Sequence, residues 1–148
     1  MGLRHILQDP TIYTSLVNSC QDLMDQQVAS KGGLSGVALK TTYGLVKGVG
    51  PNYIAGAIAR LLPEVMTALE PLWDEGLAVG DPVDYLSQNR DQAAACLLSV
   101  TDLKVKTTRY TVVKTSYSKL RQAVRSDIAS AVPQLAQILG DHVYCNQV

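Results

Sequence analysis

Catalytic chemistry in this 148-residue chain would have to come from very few side chains: two histidines, His5 and His142, and three cysteines, Cys20, Cys96 and Cys145. Neither histidine stands in the His-Glu-x-x-His or Glu-x-x-His spacing that turns a pair of ligands to one helix face. His142 and Cys145 lie three apart, so one helical turn would bring them to the same ion. No further ligand accompanies them in sequence, and no metal or cofactor is expected. The cysteines are odd in number, widely spaced and without a Cys-x-x-Cys pair, as expected of free thiols in a reducing compartment. Cys20 and Cys96 fall on apolar stripes, where a thiol stays protonated and inert, so a Cys–His nucleophile is not expected.

Glu64, Glu70, Asp74 and Glu75 gather around Trp73, with Glu70 and Asp74 four apart on one helix face. Paired carboxylates do acid–base work when burial separates their pKa values, and a solvated helix end accounts for them equally well. The run Lys31-Gly32-Gly33-Leu34-Ser35-Gly36 invites comparison with phosphate-cradling loops. It lacks the Gly-Lys-Ser/Thr ending and follows a helix rather than a strand, so it is not read as a nucleotide loop.

Between Lys104 and Arg125 there are seven basic residues and no acidic one. At helical spacing Lys114, Arg121 and Arg125 form a stripe beside the apolar face, bordered by Tyr110 and Tyr117. Cations beside aromatic rings suit an anionic ligand, a nucleotide or nucleic acid, and Lys114, Tyr117, Arg121 and Arg125 are the candidate residues for it. The plainer reading is a solvated face paired with acidic groups elsewhere, which residues 1 to 80 supply, with seven acidic against five basic. Gly36, Lys40, Gly44 and Gly48 form a second stripe at spacing four, where missing side chains let another backbone come close. That approach is either packing within the chain or a subunit interface.

The elements that must carry these residues are helices. With 47% hydrophobic and 18% charged residues the chain has the composition of an ordinary folded domain. There is no Phe and only one Trp, so the core must come from Leu, Val, Ile and Ala. The length suits a single domain, 1–148. A formal net charge of zero provides no global field to recruit nucleic acid or anionic lipid. Met1 to Ile6 carries neither a signal-peptide core nor a myristoylation signal, and no apolar window approaches 18 residues, so a cytoplasmic protein with no membrane association is expected.

Asp9-Pro10 predicts the start of a helix over 10–30 with Ile12, Leu16, Cys20 and Leu23 inward. Ser35 is read as the cap of a second helix over 35–48, with Val37, Leu39, Tyr43 and Val46 as its apolar positions. Pro51 is read as the first residue of a third helix carrying Ile54, Ile58 and Leu62. Pro63 either bends that helix or starts another through Val65, Met66 and Leu69. Residues 76–82 are the expected connection between halves, and Asp81-Pro82 repeats the first start signal. Asn89 is a plausible cap for a helix through Ala93, Cys96, Leu97 and Val100. A long final helix is expected from about Thr108, with Val113, Tyr117, Leu120, Val124 and Ile128 inward and an interruption at Pro133. The β-favouring stretch Val105 to Val113 is a lone strand candidate without a partner, so helix is kept there.

The runs Lys31-Gly32-Gly33-Leu34-Ser35-Gly36, Leu61-Leu62-Pro63 and Glu70-Pro71-Leu72-Trp73 resemble a bacterial family of small helical hypothetical proteins catalogued as a domain of unknown function. The resemblance spans nearly the whole chain. Its motifs are structural punctuation, so it carries no catalytic or binding residue across.

The expectation is therefore an all-α compact array or irregular bundle of six or seven helices, two of them bent at Pro63 and Pro133. Its expected function is a non-catalytic protein-interaction or self-assembling module, with a homodimer or another protein as partner. The alternative is a binder of an anionic ligand, nucleotide or nucleic acid through the basic stripe.

Overall fold

The computed structural model describes residues 3–145, without the side chains of residues 4, 5, 34, 35, 120, 122–124, 144 and 145. The expectations placed on His5, Ser35, Leu120, Val124 and Cys145 as side chains lie outside the described residues. The chain opens with a 3-10 helix, Leu3–Gln8, followed by α1 (Pro10–Ser30), α2 (Gly33–Lys47), α3 (Tyr53–Val79), α4 (Pro82–Gln88), α5 (Arg90–Thr107) and α6 (Thr111–Cys145). Among the described residues there are seven helices and no strand, an all-α array. Residues 105–113 contain the end of α5, a turn at Thr108 to Tyr110 and the start of α6.

Two helix starts follow directly from local chemistry. The Asp9 carboxylate accepts hydrogen bonds from the Thr11 and Ile12 amides, and Pro10 supplies a preset φ where no amide is needed. Asp81 does the same for Val83 and Asp84, with Pro82 in the equivalent place. Gly80 precedes this cap at φ +135°, a backbone conformation side chains resist.

Of the two alternatives at Pro63, the start of a further helix is not the one taken. Pro63 and Pro71 both lie inside the single helix α3, and Pro133 lies inside α6 without ending it. A proline at position 63 removes the amide that would serve the carbonyl of residue 59. The Tyr13 hydroxyl, arriving from α1, donates to that Ala59 carbonyl instead. The expected connection at 76–82 is also shorter, because residues 76–79 finish α3 and only Gly80 and Asp81 join it to α4. Three further boundaries shift: α2 is capped by Gly32, α3 starts at Tyr53 rather than Pro51, and α6 starts at Thr111.

Helix α3 is the central element. It buries Ile54, Ile58, Leu62, Val65, Met66, Leu69, Leu72, Trp73 and Gly76. Full burial of one large aliphatic side chain stabilises by roughly 1.5–3 kcal/mol, so α3 is the principal anchor of the core. Leu16, Val17 and Cys20 of α1 and Val132, Ala136 and Leu139 of α6 close over it. The α3–α4 corner needs a glycine, since a Cβ at Gly76 would stand 2.5 Å from Pro82 Cα and 2.9 Å from Tyr85 Cβ. Helices α1 and α6 run antiparallel, and Gln27 Nε2 donates to Gln134 Oε1 at 2.8 Å while Lys31 pairs with Asp127. No helix among the described residues is long and apolar enough to cross a membrane.

Candidate functional site

Helix α2 is the least committed element. Tyr43 and Val46 lean on the core, but Val37, expected to face inward, is 64% exposed and Leu45 is 56% exposed. Periodicity alone could not select the buried face, because α2 carries aliphatic residues all round and only the docking of α1 decides which of them is covered. On the outer side Val37, Thr41, Gly44 and Leu45 span an arc of about 100°, with Gly48 at its end. Every one of these positions is exposed, and none bears a charge.

The glycine stripe divides accordingly. Gly36 is buried, and a Cβ there would overlap the Lys31 carbonyl, so it serves the turn between α1 and α2. Gly44 has nothing within 4 Å of a would-be Cβ, and a Cβ at Gly48 would meet only the local Leu45 and Gly44 carbonyls. Lys40 is exposed and, with Gly44, lines a shallow groove of about 420 Å³ between α1 and α2. The wall of this groove is a cluster the sequence did not reveal. The Tyr43 hydroxyl donates to Asp25 Oδ1 at 2.6 Å, and Lys47 Nζ stands 3.3 Å from the same oxygen and 4.7 Å from the Tyr43 ring centroid. The Tyr43 hydrogen bond, more than Lys47, holds Asp25 below the usual carboxylate range, and burial pushes the Tyr43 phenol well above its ordinary value. The cluster ties α2 to α1 along one edge.

The basic stripe on α6 is split by its neighbours. Arg121 clamps Asp102 of α5 with both arms, Nε to Oδ1 at 3.0 Å and Nη2 to Oδ2 at 2.9 Å. The Tyr117 hydroxyl donates to Asp102 Oδ1 at 2.5 Å and lies 2.8 Å from Thr101 Oγ1. Hydrogen bonds from Arg121 and then Tyr117 hold the Asp102 carboxyl down at about 2. Arg125 lines a separate cleft of about 280 Å³ with Asp91 and Ser126, and Lys114 is exposed. Tyr110 packs edge-on against Tyr53 of α3, with centroids 5.3 Å apart. The acidic partner of the stripe thus comes mainly from α5, two residues before the basic run begins. One expected long-range pair does form, Lys104 with Glu64 at 3.2 Å.

The carboxylates around Trp73 are not gathered into one site. Glu64 serves Lys104, Glu75 accepts from the Tyr85 hydroxyl at 2.7 Å, and Asp74 is exposed. Trp73 itself is fully buried. Burial pushes the Cys20 thiol up to about 11, which keeps it protonated, and Cys96 is half-buried.

One protein-family model matches the chain, over residues 3–143. No curated protein and no solved structure matches it.

Proposed function

The chain belongs to the family of unknown function DUF6918, and because that family assigns no activity we propose from the structure that it works as a non-catalytic, self-associating helical module whose contact face is the outer side of α2. The observation that carries this reading is an uncharged exposed face containing Val37, Thr41, Gly44 and Leu45, on a helix whose described large side chains are all at least partly exposed. Exposed aliphatic groups on a regular helix gain free energy when covered, at roughly 25 cal/mol per Å². Gly44 and Gly48 leave room for a second helix to approach closely, as small residues four apart do where helices cross. A second copy is the occupant we favour, since a two-fold axis sets the same uncharged face against itself and a chain of zero net charge meets no long-range repulsion from its copy.

The same observations favour association over anion binding, because Tyr117 and Arg121, two of the four candidate residues, are engaged by Asp102. We read the setting as a reducing bacterial cytoplasm. The free thiols Cys20 and Cys96 support the reducing compartment, and the family resemblance supports the bacterial origin.

Analytical ultracentrifugation over a concentration series tests the reading. The wild-type chain is expected to form dimers, and Val37→Glu or Leu45→Glu to leave a folded monomer. A wild-type monomer at the highest attainable concentration, or dimers untouched by both substitutions, would overturn it.

A further inference from the structure

We propose that Ser15 is a nucleophilic modification site, activated by His142, that accepts an acyl group from a small activated ester. Ser15 lies on α1 and His142 on α6, and the antiparallel seam between these helices brings Ser15 Oγ to 3.1 Å from His142 Nε2. Polar pairs further along the same seam, Gln27 with Gln134 and Lys31 with Asp127, set its register.

The other ring nitrogen fixes which role each atom plays. His142 Nδ1 lies 2.7 Å from the Ile138 carbonyl. A carbonyl oxygen only accepts, so in the neutral ring Nδ1 carries the proton and Nε2 presents its lone pair to the serine hydroxyl. Nucleophile, base and orienting group therefore stand in the order that activates a hydroxyl, with a main-chain carbonyl as the third member. Three other serines are placed differently. Ser87, Ser99 and Ser30 each donate to a carbonyl of their own helix, Val83, Ala95 and Gln27 respectively, which engages the hydrogen without removing it.

The reaction balances without an oxidant or reductant. Ser15 Oγ attacks the ester carbonyl carbon while its proton passes to Nε2. A bond forms from Oγ to the acyl carbon, the bond to the leaving alkoxide or phenolate breaks, and the imidazolium returns its proton to that group or to water. Ser15 sits in the middle of α1, where its own amide belongs to the helix ladder and gives no donor to the oxyanion. Such donors are worth on the order of a hundredfold or more in rate; an activated ester offsets their lack in the first step with a good leaving group, whereas hydrolysis of the new ester must expel the strongly basic serine alkoxide without them. The acyl group is therefore held on Ser15 rather than turned over, so this is an acceptor site and is compatible with a non-catalytic module. Ser15 is exposed, so a small donor reaches it directly.

The test uses the full chain and p-nitrophenyl acetate as the probe, with peptide mapping of acetylation against time. Acetyl is expected on Ser15 ahead of Ser87 and Ser99 in the same sample, and His142→Gln is expected to slow Ser15 labelling about a hundredfold, the low end of general-base catalysis. Equal labelling of Ser15 and Ser99 in the wild-type chain would overturn the proposal without any variant. An unchanged Ser15 rate in a folded His142→Gln chain would overturn it as well.

Discussion

The Tyr13 hydroxyl on α1 donates its hydrogen to the Ala59 carbonyl on α3, the acceptor that Pro63 leaves without a helical amide. A defect internal to one helix is thus repaired by the side chain of another. Helix α3 continues past the proline and keeps Val65, Met66, Leu69 and Trp73 on the same buried side as Ile54 and Ile58.

Tyr13→Phe removes only the donor and leaves a part-buried carbonyl unserved. It is expected to lower stability by about 1–2 kcal/mol, measured as a lower urea midpoint at constant slope. In a Pro63→Ala background, where the amide of residue 63 returns, the same substitution should cost markedly less. Equal costs in the two backgrounds would show that the hydroxyl and the proline are not coupled.

Two glycines should respond in opposite directions to alanine. Gly76→Ala drives a methyl into the α4 backbone at Pro82 and is expected to destabilise by about 1–3 kcal/mol. Gly44→Ala meets open space and should stabilise the monomer by about 0.5–1 kcal/mol through helix propensity. The same methyl stands on the proposed contact face, so Gly44→Ala should also weaken self-association. Thermal unfolding and sedimentation on one pair of samples check both.

Acid should act through Asp102. A carboxyl held at about 2 in the folded chain stabilises it at every pH above the unfolded value, near 4. That contribution fades as pH falls through the window from about 4 to about 2. Asp102→Asn should be the less stable chain near neutrality and should lose its disadvantage progressively across that window. Urea midpoints for both chains along a pH series read this out, and a constant gap between them would assign the low pKa no part in stability.

Reversing charge on α6 separates structural from exposed cations. Arg121→Glu places two carboxylates together and is expected to loosen the α5–α6 contact, seen as a lower melting temperature. Lys114→Glu, at an exposed position, is expected to leave the melting temperature unchanged within about 0.5 kcal/mol of stability.

What could be read from the sequence was whatever depends on neighbours a few residues away. Asp9-Pro10 and Asp81-Pro82 announced two helix starts because a cap and a preset φ act within one turn. Apolar spacing marked Leu16, Cys20, Ile58, Leu62, Leu69 and Val100 as core for the same reason, a helix placing every third or fourth residue on one side. The glycine stripe of α2 was visible as a pattern. Its meaning was not, since Gly36 turned out to serve a turn while Gly44 faces open space.

Tertiary structure decided what depends on partners distant in sequence. A proline predicts a break locally, and the sequence gives no sign that the Tyr13 hydroxyl reaches the Ala59 carbonyl, the acceptor Pro63 leaves without an amide. Val37 and Tyr43 are both apolar positions on α2, and which one faces water was set by where α1 docks. Asp102 is separated from Arg121 by a whole helix turnaround, and Ser15 from His142 by 127 positions, so neither pair has a spacing to recognise. Local sequence thus determined the helices and, outside α2, most of their inward faces, while the packing of one helix on another set the buried side of α2 and chose the pairs that could carry function.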